Sequence, residues 1–198
     1  MVKERLQYLE RIISTYKTVS SSEVDIVSGN FIKIGSANYT LVNGETIKRE
    51  EIVKNNGMSS ASIILPVTVN NEVLLVVQPR VLTRLGVGIE LPAGYIDKGE
   101  TAYEAALREL EEETGYIPEN MVKVAEYYQD QGCSRAFNEC FVGTGCRKMG
   151  KQKLDRDEFI QEFLCTYPEL LELIEMSYIC DAGSIITVEK SKELIKHL

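Results

Sequence analysis

The chain has 198 residues, 44% of them apolar and 26% charged, enough to bury a full hydrophobic core as one domain with an elaborated terminus. Acidic residues outnumber basic ones by 30 to 22, for a formal net charge of −8, and no local block of Lys and Arg offsets the excess, which argues against a nucleic-acid partner. Five cysteines without a C-x-x-C pair read as reduced, mostly buried thiols rather than a disulfide framework or zinc knuckle, and His197 as the sole histidine leaves carboxylates to carry any catalysis.

Leu6, Leu9, Ile12, Ile13 and Tyr16 recur at helical spacing with charges between them, which predicts an amphipathic helix and neither a signal peptide nor a membrane span. No membrane partner is expected, and cytoplasmic residence follows as the default. A Ser-rich turn at Ser20 to Ser22 leads into short strand-like runs at Val24 to Val27, Phe31 to Ile34 and Tyr39 to Val42, and Val42-Asn43-Gly44-Glu45 is a hairpin-turn signal. This front section predicts a small antiparallel sheet. From Ala61, SIILPVTV and VLLVVQ around the turn NNE predict two buried strands, followed by the extended segment Glu90-Leu91-Pro92-Ala93-Gly94.

At Thr101 the pattern becomes helical, with Thr101 and Glu104 forming a capping box and Gly115 the stop. Strand-like runs at Val122 to Tyr128 and Phe137 to Gly143 follow, then a polar stretch from Arg147 to Asp157, the run FIQEFLCTY, a helix near Pro168 to Met176 and a last helix from about Ala182. Strands before and after a central helix, with helices closing the chain, predict a mixed α/β or α+β sandwich.

The chemistry concentrates between Gly94 and Tyr116. Glycine is followed after five residues by Glu100 and after seven more by Arg108-Glu109-Leu110-Glu111-Glu112-Glu113-Thr114-Gly115-Tyr116. At about 100° per residue, Glu109, Glu112 and Glu113 fall within an arc of roughly 100° on the helix. Ala102, Ala105 and Ala106 lie on or beside that arc, with Leu110 flanking it, while Glu104 and Glu111 point elsewhere. A plain solvated face accounts for Glu104 and Glu111. It accounts poorly for the other three, because small residues beside them imply close approach of another backbone. Carboxylates at i, i+3 and i+4 repel, and burying them calls for a compensating cation. Oxygen ligands without His or Cys favour Mg²⁺, or Mn²⁺, over zinc. Arg108 is expected to orient these carboxylates rather than to bind metal.

The same segment resembles the complete signature of the Nudix family. That resemblance implies an α+β fold of the α/β/α sandwich type, in which a mixed sheet carries a loop-helix-loop catalytic unit. Here an N-terminal helix and small antiparallel sheet would be added, with residues 1–57 serving dimerisation and substrate recognition and residues 58–198 forming the hydrolase domain. It further implies that the Ala93 carbonyl, Glu109 and Glu113 hold metal with Glu112 assisting, and that water attacks phosphorus in line without a covalent intermediate.

Glu90-Leu91-Pro92-Ala93-Gly94 is similar to a segment of the ADP-ribose and ADP-sugar pyrophosphatases, which implies cleavage of a nucleoside diphosphate derivative to AMP and a sugar phosphate, with ADP-ribose as the leading substrate. In that subfamily Arg80 would contact phosphate, and Glu158, or else Asp157, would act as general base. Phe31 and Glu50 would recognise adenine, with Arg49 at a second stacking position and a homodimer completing the pocket. Two departures stand out: Arg49 at the stacking position in a chain without tryptophan, and Gln131 where these enzymes usually carry proline. Another nucleotide sugar, a dinucleoside polyphosphate, a coenzyme A derivative, an oxidised nucleoside triphosphate or a non-hydrolysing nucleotide sensor are the alternatives.

Overall fold

Ile63, Leu65 and Val67 face one way on their strand and Val73, Leu75 and Val77 do so on the next, while Ile64 and Leu74 face the other way. Apolar residues on both faces require cover from both sides, and this decides the layering. The protein is described by a computed structural model covering residues 3–16, 29–40 and 44–195, without the side chains of Tyr16 and Asn56. Its elements in chain order are α1 (Lys3–Tyr16), β1 (Ile32–Thr40), β2 (Thr46–Lys54), β3 (Ala61–Thr68), β4 (Val73–Pro79), β5 (Val87–Glu90), β6 (Ala93–Tyr95), α2 (Ala102–Thr114), β7 (Tyr116–Ile117), β8 (Asn120–Tyr128), β9 (Phe137–Lys148), β10 (Gln161–Cys165), α3 (Tyr167–Glu175) and α4 (Ala182–Ile195).

The main sheet runs β10-β4-β3-β9-β7, with β5 on β4, β6 on β3 and β8 on β9. It is mixed: β3 and β9 are parallel and the other pairs antiparallel. One face packs against residues of α1, α3 and α4, including Leu9, Ile12, Leu170, Leu173 and Val188. The other packs against Ala102, Ala106 and Leu110 of α2. The result is the expected α+β fold of α/β/α type, with the acidic helix, among the described residues, the one helix on its side of the sheet.

The amphipathic helix α1 buries Leu9 and Ile12 in the main core. Arg5 ties it down through Glu72 at 2.9 Å and Glu169 at 3.0 Å, and donates to the Leu164 carbonyl of the edge strand β10. In the front section the described parts of the two short runs expected at Phe31 to Ile34 and Tyr39 to Val42 belong to one strand through Gly35, β1, which starts at Ile32 and is paired along its length with β2. The sequence TIKREEIVK carries too many charges to announce a strand, and β2 forms because none of its positions is buried. The run Val24 to Val27, the turn at Ser20 to Ser22, positions 41–43 of the hairpin turn and His197 lie outside the described residues. Beyond the helix, β9 runs past the expected Gly143 to Lys148, which is accommodated by Gly145 at φ 66°. Cys140, Cys146 and Cys165 are buried, Cys133 is partly buried and Cys180 is exposed, all as free thiols.

Candidate active site

The acidic helix α2 begins with the predicted capping box, in which the Thr101 hydroxyl accepts from the Glu104 backbone N–H and the Glu104 carboxylate accepts from that of Thr101. It ends on Gly115 in the left-handed region at φ 73°. Between these caps Ala105 and Ala106 are fully buried against the sheet, which brings the helix close enough for Glu109 and Glu113 to reach the segment from Ala93 to Tyr95. Glu113 Oε2 accepts from the Ala93 N–H at 3.2 Å. At Gly94 a β-carbon would stand 1.9 Å from Glu109 Oε1, so only glycine leaves room for that carboxylate.

Arg108 organises the cluster. Its Nε and Nη2 form a fork on Glu100 at 2.9 Å each, Nη1 donates to Glu109 at 2.7 Å and Glu112 at 3.0 Å, and Nη2 also reaches the Tyr95 carbonyl at 3.0 Å. These bonds, Glu100 first, raise the guanidinium above its ordinary pKa. One cation thus serves three carboxylates, while Glu113 receives none of its hydrogen bonds.

With 4% of its surface exposed, Glu113 is pushed well above the usual carboxylate range, first by burial and then by the charges of Glu109, Glu158 and Glu90. Glu109 is raised as well, burial outweighing the help of Arg108. Bystanders separate as expected: Glu104 is the cap, and Glu111 pairs with Lys153 at 2.6 Å. Among the described residues, no group of three or more His, Cys, Asp or Glu side chains is already arranged as a cation cage.

The loop after β9 is strapped to this helix by a residue that no sequence pattern marks. Gln152 Nε2 donates to the Glu113 carbonyl at 2.7 Å and the Ile160 carbonyl at 3.2 Å, and the Lys153 N–H donates to the Glu112 carbonyl at 2.7 Å. These donors satisfy carbonyls that a helix C-terminus leaves open. The strap positions Asp157 and Glu158, both exposed. The charge of Glu158 acts on Glu109 and Glu113, and its Oε2 accepts from the Asp155 N–H at 3.0 Å.

Arg80, at the end of β4, makes a fork with Glu90 of β5 through Nε and Nη2, both at 2.8 Å. The pair lies across Gly88, where a β-carbon would meet Glu90 Oε1 at 1.7 Å and Arg80 Cγ at 2.7 Å. Nothing in the spacing pointed to this pairing, because β5 reaches β4 only through the antiparallel register that sets Gln78 opposite Gly88. Two adjoining cavities of about 440 and 210 Å³ share Arg80, Glu90, Tyr95 and Asp181, and the smaller reaches Ala93 and Gly94 beside the carboxylates. A larger groove of about 610 Å³ lies between α1 and β10, lined by Arg5, Tyr8 and Phe163, and contains none of the carboxylates of α2.

Phe31 stands at the mouth of the cleft, half exposed, with its ring edge-on to Tyr95 at 5.8 Å. Arg49 and Glu50 are not with it. They line a separate depression with Gln131 and Arg135. Glu50 is opposite Ser36 and Arg49 opposite Ala37, five and six positions along β1 from Phe31.

Residues 58–179 match the NUDIX domain family. The chain is 33% identical over 174 residues to an ADP-ribose pyrophosphatase of Bacillus subtilis, covering 87% of this chain and 90% of that one. It is 34% identical over 184 residues to a methanol dehydrogenase activator of Bacillus methanolicus, covering 91% and 96%. A solved structure of an ADP compounds hydrolase shares the fold with a TM-score of 0.72 at 20% identity, over 86% of this chain and 90% of that one.

Proposed function

The chain belongs to the Nudix family and is a Nudix pyrophosphohydrolase related to the ADP-ribose and ADP-sugar pyrophosphatases, and from that premise we propose that it hydrolyses ADP-ribose or a related nucleotide sugar to AMP and a sugar phosphate, using Mg²⁺ or Mn²⁺. The observation that carries the reading is Glu113, a buried carboxylate with one backbone donor, surrounded by further negative charge. Such a group calls for a cation, and an all-oxygen donor set fits a hard divalent ion whose remaining ligands are waters and substrate phosphates. The Ala93 carbonyl, Glu109 and Glu113 would hold it, with Glu112 assisting. When bound, the ion polarises phosphorus and neutralises charge on the pyrophosphate.

The chain's own residues do the rest. Glu90 occupies Nε and Nη2 of Arg80, which leaves Nη1 for a phosphate oxygen. Arg108 holds Glu109 and Glu112 in register. Glu158 takes a proton from the attacking water, with Asp157 as the second choice; the charge of Glu158 acts on both Glu109 and Glu113. The water oxygen forms the new P–O bond, the bond from that phosphorus to the bridging oxygen breaks, and the bridging oxygen leaves on the other phosphate.

Phe31 is about 17–20 Å along the strand from Glu50 and Arg49, at ~3.3 Å per residue. One adenine can therefore meet all three only if Arg49 and Glu50 come from a second copy, which supports a homodimer. Residues 1–57 then divide in role: α1 seals the core, and the β1–β2 hairpin recognises the base. No helix of the described residues is long and apolar enough to cross a membrane, and free thiols fit a cytoplasmic setting. The similarity to a methanol dehydrogenase activator favours a second reading, in which the chain acts on a dehydrogenase.

The test is a substrate panel with Mg²⁺, comprising ADP-ribose, ADP-sugars, a dinucleoside polyphosphate, a coenzyme A derivative and a nucleoside triphosphate, following AMP, sugar phosphate, inorganic phosphate and inorganic pyrophosphate. AMP and ribose 5-phosphate as joint products of ADP-ribose are expected. Preferred release of inorganic pyrophosphate from the triphosphate would reject the reading, and binding across the panel without turnover would make the chain a sensor.

A further inference from the structure

Beyond the carboxylates, two hydrogen-bond relays run into the small cavity, one from the backbone of β3 and one from the link between β5 and β6. In the first, the Ala61 N–H donates to Asn138 Oδ1 at 2.9 Å, which fixes the amide orientation because only the oxygen can accept. Asn138 Nδ2 then donates to the Tyr127 hydroxyl at 3.1 Å. Asn138 is buried, so this polarity is locked, and the Tyr127 O–H is left to donate away from Asn138. In the second relay the Leu91 N–H donates to Ser184 Oγ at 2.9 Å, and Ser184 Oγ donates to Asp181 Oδ2 at 2.9 Å. The Ser184 N–H adds a bond to the same Oδ2 at 2.7 Å, so both protein bonds fall on one carboxylate oxygen and Oδ1 is left as an acceptor.

The two relays converge. A β-carbon on Gly183 would stand 2.8 Å from the Tyr127 hydroxyl and 3.2 Å from Asp181 Oδ2, so these oxygens flank one point at the start of α4. Both line the cavity of about 210 Å³ that also reaches Ala93 and Gly94. Drug-sized ligands need roughly 300–1,000 Å³, so this chamber admits one part of a nucleotide sugar. Which part follows from connectivity. In ADP-ribose each phosphate is esterified to the 5-position of a ribose, so a pentose is the first group met on either side of the pyrophosphate, and the base lies farther away.

We propose that Tyr127 and Asp181 form a subsite for the vicinal hydroxyls of the ribose next to the cleaved pyrophosphate. Asp181 accepts from the diol while Tyr127 donates to one of its oxygens, and the inference rests on the hydrolase reading above. A fixed donor beside a fixed carboxylate matches hydroxyls, which both donate and accept; a phosphate oxygen would be repelled by Asp181. Sites built to hydrogen-bond a hydroxyl reject the analogue lacking it, because the site's own groups are then left unpaired.

The experiment compares ADP-ribose with two analogues, one lacking the 2-hydroxyl of the adenosine ribose and one lacking that of the terminal ribose, on the wild type, Tyr127→Phe and Asp181→Asn. Asn still caps α4, so the helix start is retained. The wild type is expected to lose about ten-fold or more in kcat/KM on one analogue, which identifies the ribose that enters. Each variant should shrink that preference toward unity by slowing hydrolysis of ADP-ribose alone. Equal rates on all three compounds in the wild type, or a preference unchanged in both variants, would overturn the subsite and leave the hydrolase reading intact. Should the wild type hydrolyse none of them, the hydrolase reading falls, and calorimetric affinities for the same compounds decide the subsite by the same ratio.

Discussion

Glu113→Gln separates a metal-site carboxylate from an ordinary buried one, because it should damage catalysis while improving the fold. The glutamine carbonyl can still accept from the Ala93 N–H, and its amide carries no charge for Glu109 to repel. What disappears is a buried negative charge that its surroundings repel. Removing such a poorly compensated group is worth on the order of 1–3 kcal/mol. For a chain of this size about 2–4 °C accompanies each kcal/mol, so the metal-free variant should melt roughly 2–12 °C above the metal-free wild type.

Turnover should move the opposite way, by about 10²–10⁴-fold, as expected when several kcal/mol of transition-state stabilisation is lost. The assay pairs thermal unfolding in chelator, with and without added Mg²⁺, with AMP release from ADP-ribose. Mg²⁺ should raise the melting temperature of the wild type and leave the variant nearly unmoved. Undiminished hydrolysis, or a large loss of stability in chelator, would refute the reasoning.

The same charge sets the pH dependence. Glu113 and Glu109 have folded pKa values raised above the unfolded carboxylate value of about 4.3, so between these limits the native state holds more protons than the unfolded one. Metal-free stability should therefore fall as pH rises from about 4.3 through the raised values, measured against Glu113→Gln by urea unfolding. Arg108→Lys keeps the charge but not the fork that spans Glu100, Glu109 and Glu112; a loss of about 1–2 kcal/mol by urea unfolding is expected, together with reduced kcat, whereas unchanged stability would remove Arg108 as the organiser. Gly94→Ala should displace the Glu109 carboxylate and cost about ten-fold or more in turnover with under ~1 kcal/mol of stability, since the obstructing atoms belong to a movable side chain. Mixing Phe31→Ala with Arg49→Ala should restore about a quarter of wild-type activity if the two residues act across a dimer, and none if they act within one chain.

The reaction was legible in the sequence because its parts are local. Thr101, Glu104 and Gly115 bound the helix, and a 3.6-residue repeat puts Glu109, Glu112 and Glu113 on one side of it whatever the helix packs against. Strands β3 and β4 were equally readable, since residues buried on both faces leave a continuous apolar run. The pair Arg80–Glu90 was not, because it joins neighbouring strands through a register that depends on the whole sheet. Nor was β2, whose charged sequence is strand only because β1 lies beside it.

Tyr127, Asn138, Gln152 and Asp181 are unremarkable letters in the chain. The first three acquire meaning through contacts spanning from 8 to 77 positions, and Asp181 through Ser184, which reaches back 93 positions to Leu91; no periodicity encodes these. The sequence by itself determined the acidic helix and, through its resemblance to the Nudix signature, the class of reaction, since the residues that carry both lie within one turn or one strand. Only the tertiary structure decided which carboxylate is left uncompensated, how Arg80 is held and what surrounds the cleft, because burial and pairing depend on which distant segments the sheet brings together.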